Sequence, residues 1–216
     1  MDFEYDTFID YLRKEDKAGC VAYVREALDK SDIAIPVLYE QFFLPAVNGF
    51  ECPLLDRQKC IWMQQVQTSI IRTLIECSYP YVVAQSRKTK SPLTVAVLCP
   101  EGEYDEISAR MMSDYFTLLG NKSLFIGADT KQDDFASVVK YIEPDILVVS
   151  VSNPYHIVSA KNAISRVLTS YKHPVDIYVS GAAFASNEDI ILSMGAKGYI
   201  RDFAGVQKIV WGEKSI

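Results

Sequence analysis

The spacing of the apolar residues changes character at residues 85–92, and this change constrains the fold more than any other feature of the chain. Before it, apolar residues recur at helical intervals: Phe8, Tyr11 and Leu12, then Val21, Val24 and Leu28, then Val37, Leu38, Phe42 and Leu44. Ile61, Trp62, Val66, Ile70, Leu74 and Ile75 make a fourth set. Each set lays an apolar stripe along one face of a helix. Pro36 suits the first turn of the third helix, where its missing N–H costs nothing, and Gly49 and Pro53 interrupt the chain before the fourth. Residues 1–84 are therefore expected to form a small antiparallel four-helix bundle. Residues 85–92, Gln-Ser-Arg-Lys-Thr-Lys-Ser-Pro, are polar, basic and closed by a proline, as a linker would be.

From 93 to 216 short apolar runs alternate with helical stretches. The runs predict strands at 93–99, 123–126, 145–151, 176–179 and 198–200, with helices near 105–119, 132–141, 155–171, 186–195 and 203–210. The unbroken apolar stretch 146–149 suits a strand covered on both faces. Thr130-x-x-Asp133 and Ser186-x-x-Asp189 have the form of helix starts. The expected class is α/β: a helical bundle, then a doubly wound five-stranded parallel sheet of the flavodoxin-like or Rossmann-like kind. Its ligand would lie at the carboxyl ends of the strands.

Charge excludes one large class of partners. The net charge is −6 and the sequence pI about 5.0. Residues 1–90 hold 11 basic and 13 acidic side chains, and the remainder 11 and 15. Neither half has the basic excess needed to neutralise phosphates, so no direct nucleic-acid contact is expected. Five cysteines with no C-x-x-C pair argue against a disulfide framework or a structural zinc site and for reduced thiols. The acidic start and the lack of a long apolar stretch predict a cytoplasmic protein without membrane contact.

Three loops at expected strand ends carry the candidate site. The first, 101–108, reads Glu-Gly-Glu-Tyr-Asp-Glu-Ile-Ser; the second is 150–154, Ser-Val-Ser-Asn-Pro; the third is 180–184, Ser-Gly-Ala-Ala-Phe. The first has a single glycine, Gly102, and therefore no dinucleotide fingerprint, and a P-loop lysine is absent. Glu101, Glu103, Asp105 and Glu106 would repel the phosphate of a flavin nucleotide. A receiver domain needs an aspartate where this chain has Ser150. Ser180-Gly181-Ala182-Ala183 either admits a ligand close to the backbone or packs a helix against the sheet. No Ser-His-Asp or Cys-His spacing is present, so the chain reads as non-enzymatic. His173, before Pro174, reads as an exposed turn residue, whereas His156 falls three residues beyond Asn153 of the second loop.

Taken together, the loops resemble the cobalamin-binding modules of methionine synthase, of corrinoid methyl-carrier proteins and of light- or cobalamin-sensing regulators. That family's fingerprint is Asp-x-His-x-x-Gly, then Ser-x-Leu or Ser-x-Thr, then Gly-Gly. The matching positions here are Glu103, Tyr104, Asp105, Glu106, Ile107 and Ser108, then Ser150, Val151 and Ser152, then Ser180 and Gly181. The separating stretches of 41 and 27 residues suit the pattern. Gly127-Ala128-Asp129, Glu143-Pro144-Asp145, Ala183-Phe184 and Leu192-x-x-Gly195-Ala196 match as well, and the resemblance covers residues 5 to 210.

The resemblance implies cobalamin as cofactor, held between the helical cap and the strand ends. The binding residues would be Tyr104, Asp105, Glu106, Ile107, Ser108, Ser150, Ser152, Asn153, Ser180, Gly181 and Ala182. In the family the first-loop histidine ligates cobalt, and here that position is Asp105. A carboxylate is a poor replacement, which leaves cobalamin held without a protein ligand, or none held. Aligned with the light-sensing members, Gln64 and Gln65 stand at the family's Glu-His pair and Leu54 at its Trp. Trp62 reads first as core and second as cover for the ring, with Gln65 beside it. Haem on His156 or Cys99 is a further alternative.

The expected function is a non-enzymatic sensor or regulatory module for a corrinoid or related tetrapyrrole, its cap read by a partner protein. A homodimer is also allowed. A methyl carrier serving a methyltransferase is one rival. The other is a ligand-free interaction scaffold, which would be marked by Tyr104, Tyr155 and Phe184 filling the slot.

Overall fold

A computed structural model of the protein describes residues 3–50, 52, 57–171, 173–185 and 188–212. Two compact units divide the chain, residues 1–85 and 86–216.

The first unit is helical: α1 (Tyr5–Arg13), α2 (Lys17–Asp29), α3 (Ile35–Val37), a π-helical turn (Leu38–Phe43), α4 (Leu44–Asn48) and α5 (Arg57–Gln85). The Asp16 side chain accepts the Gly19 N–H and starts α2. Pro36 sits in the first turn of α3, as its spacing predicts. The run from α3 to α4 is continuous, and its middle widens to i→i+5 bonding two residues before Pro45, which has no N–H to give. Rings of Phe3, Phe8, Phe42 and Phe43 cluster within this unit.

Trp62 is not core. It is 47% exposed, because the buried stripe of α5 runs through Gln67, Ile70, Ile71, Leu74, Ile75, Ser78 and Val82 and passes Trp62 on another side. The thiols are not all reduced either: Cys52 and Cys60 form a disulfide, with Cα atoms 5.4 Å apart. An eight-residue spacing escapes a search for C-x-x-C. Pro53, Leu54 and Ser186 lie outside the described residues.

The second unit is a doubly wound α/β domain. Its strands are β1 (Thr94–Pro100), β2 (Lys122–Thr130), β3 (Ile146–Ser150), β4 (Asp176–Ser180) and β5 (Gly198–Ile200). All neighbours pair in parallel, in the order β2-β1-β3-β4-β5. The helices are α6 (Ile107–Leu118), α7 (Gln132–Ile142), α8 (Ile157–Ser170), α9 (Glu188–Ser193) and α10 (Phe203–Trp211). Leu98, Leu147, Val149, Val151, Ile177 and Val179 form a core with Phe135 and Val139 of α7, Ile164 and Val167 of α8, and Ile191 of α9. Alternation along each strand turns Val97, Cys99, Val148, Ser150 and Ser180 to the opposite face. There α6 lies on β1 and β2 and touches α10 through Tyr115 and Phe203.

The first residues of the expected linker, Ser86 and Arg87, are fastened to this unit. Ser86 donates to the Thr117 carbonyl, the Arg87 N–H to the Leu118 carbonyl, and the Arg87 guanidinium lies 4.4 Å from the Trp211 ring centre. Two local expectations change. Thr130 does not cap α7: its hydroxyl turns to the Gly127 carbonyl, and Lys131 takes the N-cap position without a side-chain bond. β2 also runs longer than its apolar residues imply, because register shifts against β1 absorb Gly127 and the left-handed Asp129.

Candidate functional site

The strand order fixes where a ligand crevice can form. The helix after β1 lies on one face of the sheet and the helix after β3 on the other. The loops at the carboxyl ends of β1 and β3 therefore diverge, which makes that junction the switch point of a doubly wound fold.

Glu103 governs this junction. Its side chain is buried, 2% exposed, and its carboxylate accepts three backbone N–H groups. Asp105 donates to Oε1 at 3.1 Å, while Ser152 and Asn153 donate to Oε2 at 3.0 and 2.9 Å. One carboxylate thus ties the β1 loop to the β3 loop. From the other side Asp129, after β2, accepts the Gly102 N–H at 2.8 Å and donates its own N–H to the Glu103 carbonyl at 2.9 Å. Bonds from N–H groups to a carboxylate are stronger than those to a neutral oxygen, and three of them converge on this one buried side chain.

The next junction, between β3 and β4, is laced by backbone. Val151 N–H donates to the Ser180 carbonyl, and Ala183 N–H to the Val151 carbonyl. Gly181 has φ +93°, and a Cβ there would lie 2.3 Å from the Val151 oxygen, so the glycine serves this loop-to-loop approach. Ser150 and Ser180 pair in register at the strand tips. Both are buried, and neither hydroxyl has a hydrogen-bond partner among the described residues. Leaving a buried hydroxyl unpaired costs about 1–3 kcal/mol. Two such hydroxyls lie side by side at the ends of β3 and β4.

The remaining predicted site residues fall as follows. Tyr104 is 70% exposed. Asp105 is half-buried, and its Oδ1 accepts the Ile107 N–H at 3.2 Å, starting α6. Glu106 pairs with Arg110 at 3.1 Å, Ile107 is buried in the core, and Ser108 is half-buried on α6. Ser152 is half-buried, and Asn153 is exposed with its side chain accepting the Tyr155 N–H. Ala182 is exposed, and Gln65 and Trp62 are exposed on α5 of the helical unit.

The aromatic side chains expected to mark a ligand-free scaffold fall as follows. Tyr155 is 90% exposed, Tyr104 also points to solvent, and Phe184 is buried in the core on the α8 side. Cys99 is buried at the tip of β1, its Sγ against the Asp105 carbonyl. Burial, then the charges of Glu103, Asp105 and Glu106, push its thiol far above the ordinary range against the opposing pull of Arg110. No group of three or more His, Cys, Asp or Glu side chains suited to a metal ion occurs among the described residues.

The molecule shares its architecture with solved structures. Over 95% of this chain and 96% of the other, it superposes on the monomethylamine corrinoid protein of Methanosarcina barkeri with a TM-score of 0.77 at 15% identity. This chain has the corrinoid-protein fold. The methanol:cobalamin methyltransferase complex MtaBC of the same organism gives a TM-score of 0.50 at 14% identity, covering 94% of this chain and 76% of that one. No family model and no curated protein matches the sequence.

Within this corrinoid-protein fold, sequence reasoning missed the two residues that organise the rim. Glu103 was legible as the first position of the family pattern, but its reach to the β3 loop was not. Asp129 was visible only as part of Gly-Ala-Asp. No helix among the described residues is long and apolar enough to cross a membrane.

Proposed function

We propose that this chain binds a corrinoid at the carboxyl rim of its sheet and acts as a non-enzymatic sensor or regulatory module read by a partner protein. The observation that carries the reading is the pair of buried, unpartnered hydroxyls of Ser150 and Ser180. A serine hydroxyl both donates and accepts, so the pair suits the nitrogen-bearing base at the end of a cobalamin tail. Bound there, a corrinoid supplies a cobalt centre able to carry an alkyl group.

The chain's own residues position rather than react. Glu103 holds the first two loops together, and both Glu103 and Asp105 are engaged by backbone N–H groups. Ile107 and Ser108 begin the helix that covers the Ser150 face, and Gly181 lets the β3 and β4 loops approach. One structural neighbour is a methyltransferase complex, which makes a methyltransferase subunit the first class of partner to test.

The test is retention. The purified protein is incubated separately with methylcobalamin, adenosylcobalamin and haemin, desalted, and its visible spectrum recorded. Stoichiometric retained corrinoid, lost in the Ser150→Ala, Ser180→Ala double variant, supports the reading. A colourless eluate from all three incubations overturns it. A retained haem Soret band without corrinoid replaces the cofactor and overturns the corrinoid assignment.

A further inference from the structure

The first loop contains no histidine, yet an imidazole reaches it from elsewhere. His156 ends the 3-10 turn Pro154–His156 after β3, and its backbone N–H donates to the Asn153 carbonyl at 3.0 Å. Its ring crosses the switch-point junction and lies on Gly102. A Cβ at Gly102 would stand 2.9 Å from His156 Nδ1 and 3.0 Å from Cε1. Any side chain at 102 would therefore displace the ring. Gly102 also has φ +87°, a conformation that disfavours other residues independently.

Both backbones that meet at this contact are fixed by buried or half-buried bonds. Gly102 is held by Asp129, and the segment leading to His156 is held by the Glu103 carboxylate on Ser152 and Asn153. The residue is half-buried, and neither ring nitrogen has a hydrogen-bond partner among the described residues. Nδ1 is the ring nitrogen nearest Gly102, and Nε2 is not among the three ring atoms closest to a Cβ built there. Imidazole is a good donor to first-row transition metals, in contrast to the Asp105 carboxylate, whose Oδ1 accepts the Ile107 N–H.

We propose that His156 supplies the protein nitrogen that ligates the cobalt of a bound corrinoid, reaching from the β3 loop to do what no residue of the β1 loop can. The assignment rests on the corrinoid reading above and adds to it a ligand. It also gives Glu103 and Asp129 a purpose as positioning residues, because they fix the two loops between which the imidazole sits.

The experiment uses the full chain grown with ¹⁵N-labelled histidine, loaded with cob(II)alamin and examined by electron paramagnetic resonance. A ¹⁵N ligand splits each high-field cobalt line into two, whereas the cofactor's own unlabelled base splits each into three. The expected spectrum shows doublets, which persist in His173→Ala and vanish in His156→Ala and His156→Gln. As a check that does not depend on those variants folding identically, unlabelled His156→Gly supplied with ¹⁵N-imidazole should regain the doublets. Retained corrinoid with triplets, or with no nitrogen splitting, overturns the assignment and leaves the proposed function standing. No retained corrinoid in the unaltered protein overturns both.

Discussion

Two neighbouring junctions on the same sheet edge are closed in opposite ways. Between β1 and β3 a side chain does the closing: Glu103 is buried and fully engaged, with every bond charge-assisted. Between β3 and β4 the backbone does it, through Val151, Ser180 and Ala183, and the two side chains at the strand tips are left without partners. The first junction is complete in itself, whereas the second is stable in its main chain but incomplete in its side chains. The lesson is that burial alone does not identify a binding position. What separates Glu103 from Ser150, both almost fully buried polar residues, is whether the protein itself satisfies them.

The comparison is broken most directly at Glu103. Glu103→Ala strands three backbone donors and should destabilise the second unit by about 3 kcal/mol, read as a lower denaturant midpoint with unchanged slope. Glu103→Gln, which keeps an acceptor oxygen, should lose about half as much. Equal stability of the alanine variant and the unaltered protein would show that the carboxylate is not a clamp.

Gly181→Ala tests the backbone junction. The positive φ and the Val151 carbonyl both oppose a Cβ, so a loss of about 2 kcal/mol is expected from strain at such a position. A neutral result would mean that the two loops part without cost.

The serines should respond with the other sign. Ser150→Ala and Ser180→Ala each remove an unpaired hydroxyl and should leave stability unchanged or raise it by about 1 kcal/mol, while corrinoid retention falls. A destabilised serine variant would mean that its hydroxyl already has a partner.

The smallest effect is kinetic. Cys20 and Cys99 are buried with thiols pushed up, Cys20 to about 11 by burial and the Asp16 charge. Both remain protonated at pH 8 and should resist alkylation in the native protein. Half-buried Cys77 should react first, as mass spectrometry of the trapped adducts would reveal.

Much of the fold was legible because strands buried on both faces are unbroken apolar runs. The stretch 198–200 and the tip at Ser180 fall where the alternation ends, and the order of elements leaves few topologies for five parallel strands. Failures occurred where a residue answered to a partner distant in sequence. Trp62 matched the helical period of its neighbours, but the buried stripe of α5 is set by the helices that pack on it. Thr130 has the form of a cap, yet the irregular end of β2 offers its hydroxyl the Gly127 carbonyl instead. Glu103 looked like one member of an acidic, solvated loop. Its burial depends on amide groups 49 and 50 residues away, which no local pattern encodes. His156 was legible as near the crevice, but its seat on Gly102 was not.

The Glu103 carboxylate recognises main-chain amides and ignores side-chain identity. The bonds to Glu103 therefore exclude only proline, which has no amide hydrogen to offer, at positions 152 and 153; at 153 the side chain is held separately, by its bond from the Tyr155 N–H. A lineage could retune what that loop shows to a new ligand or partner while its scaffold stays put, so evolutionary freedom would sit directly beside an immovable anchor.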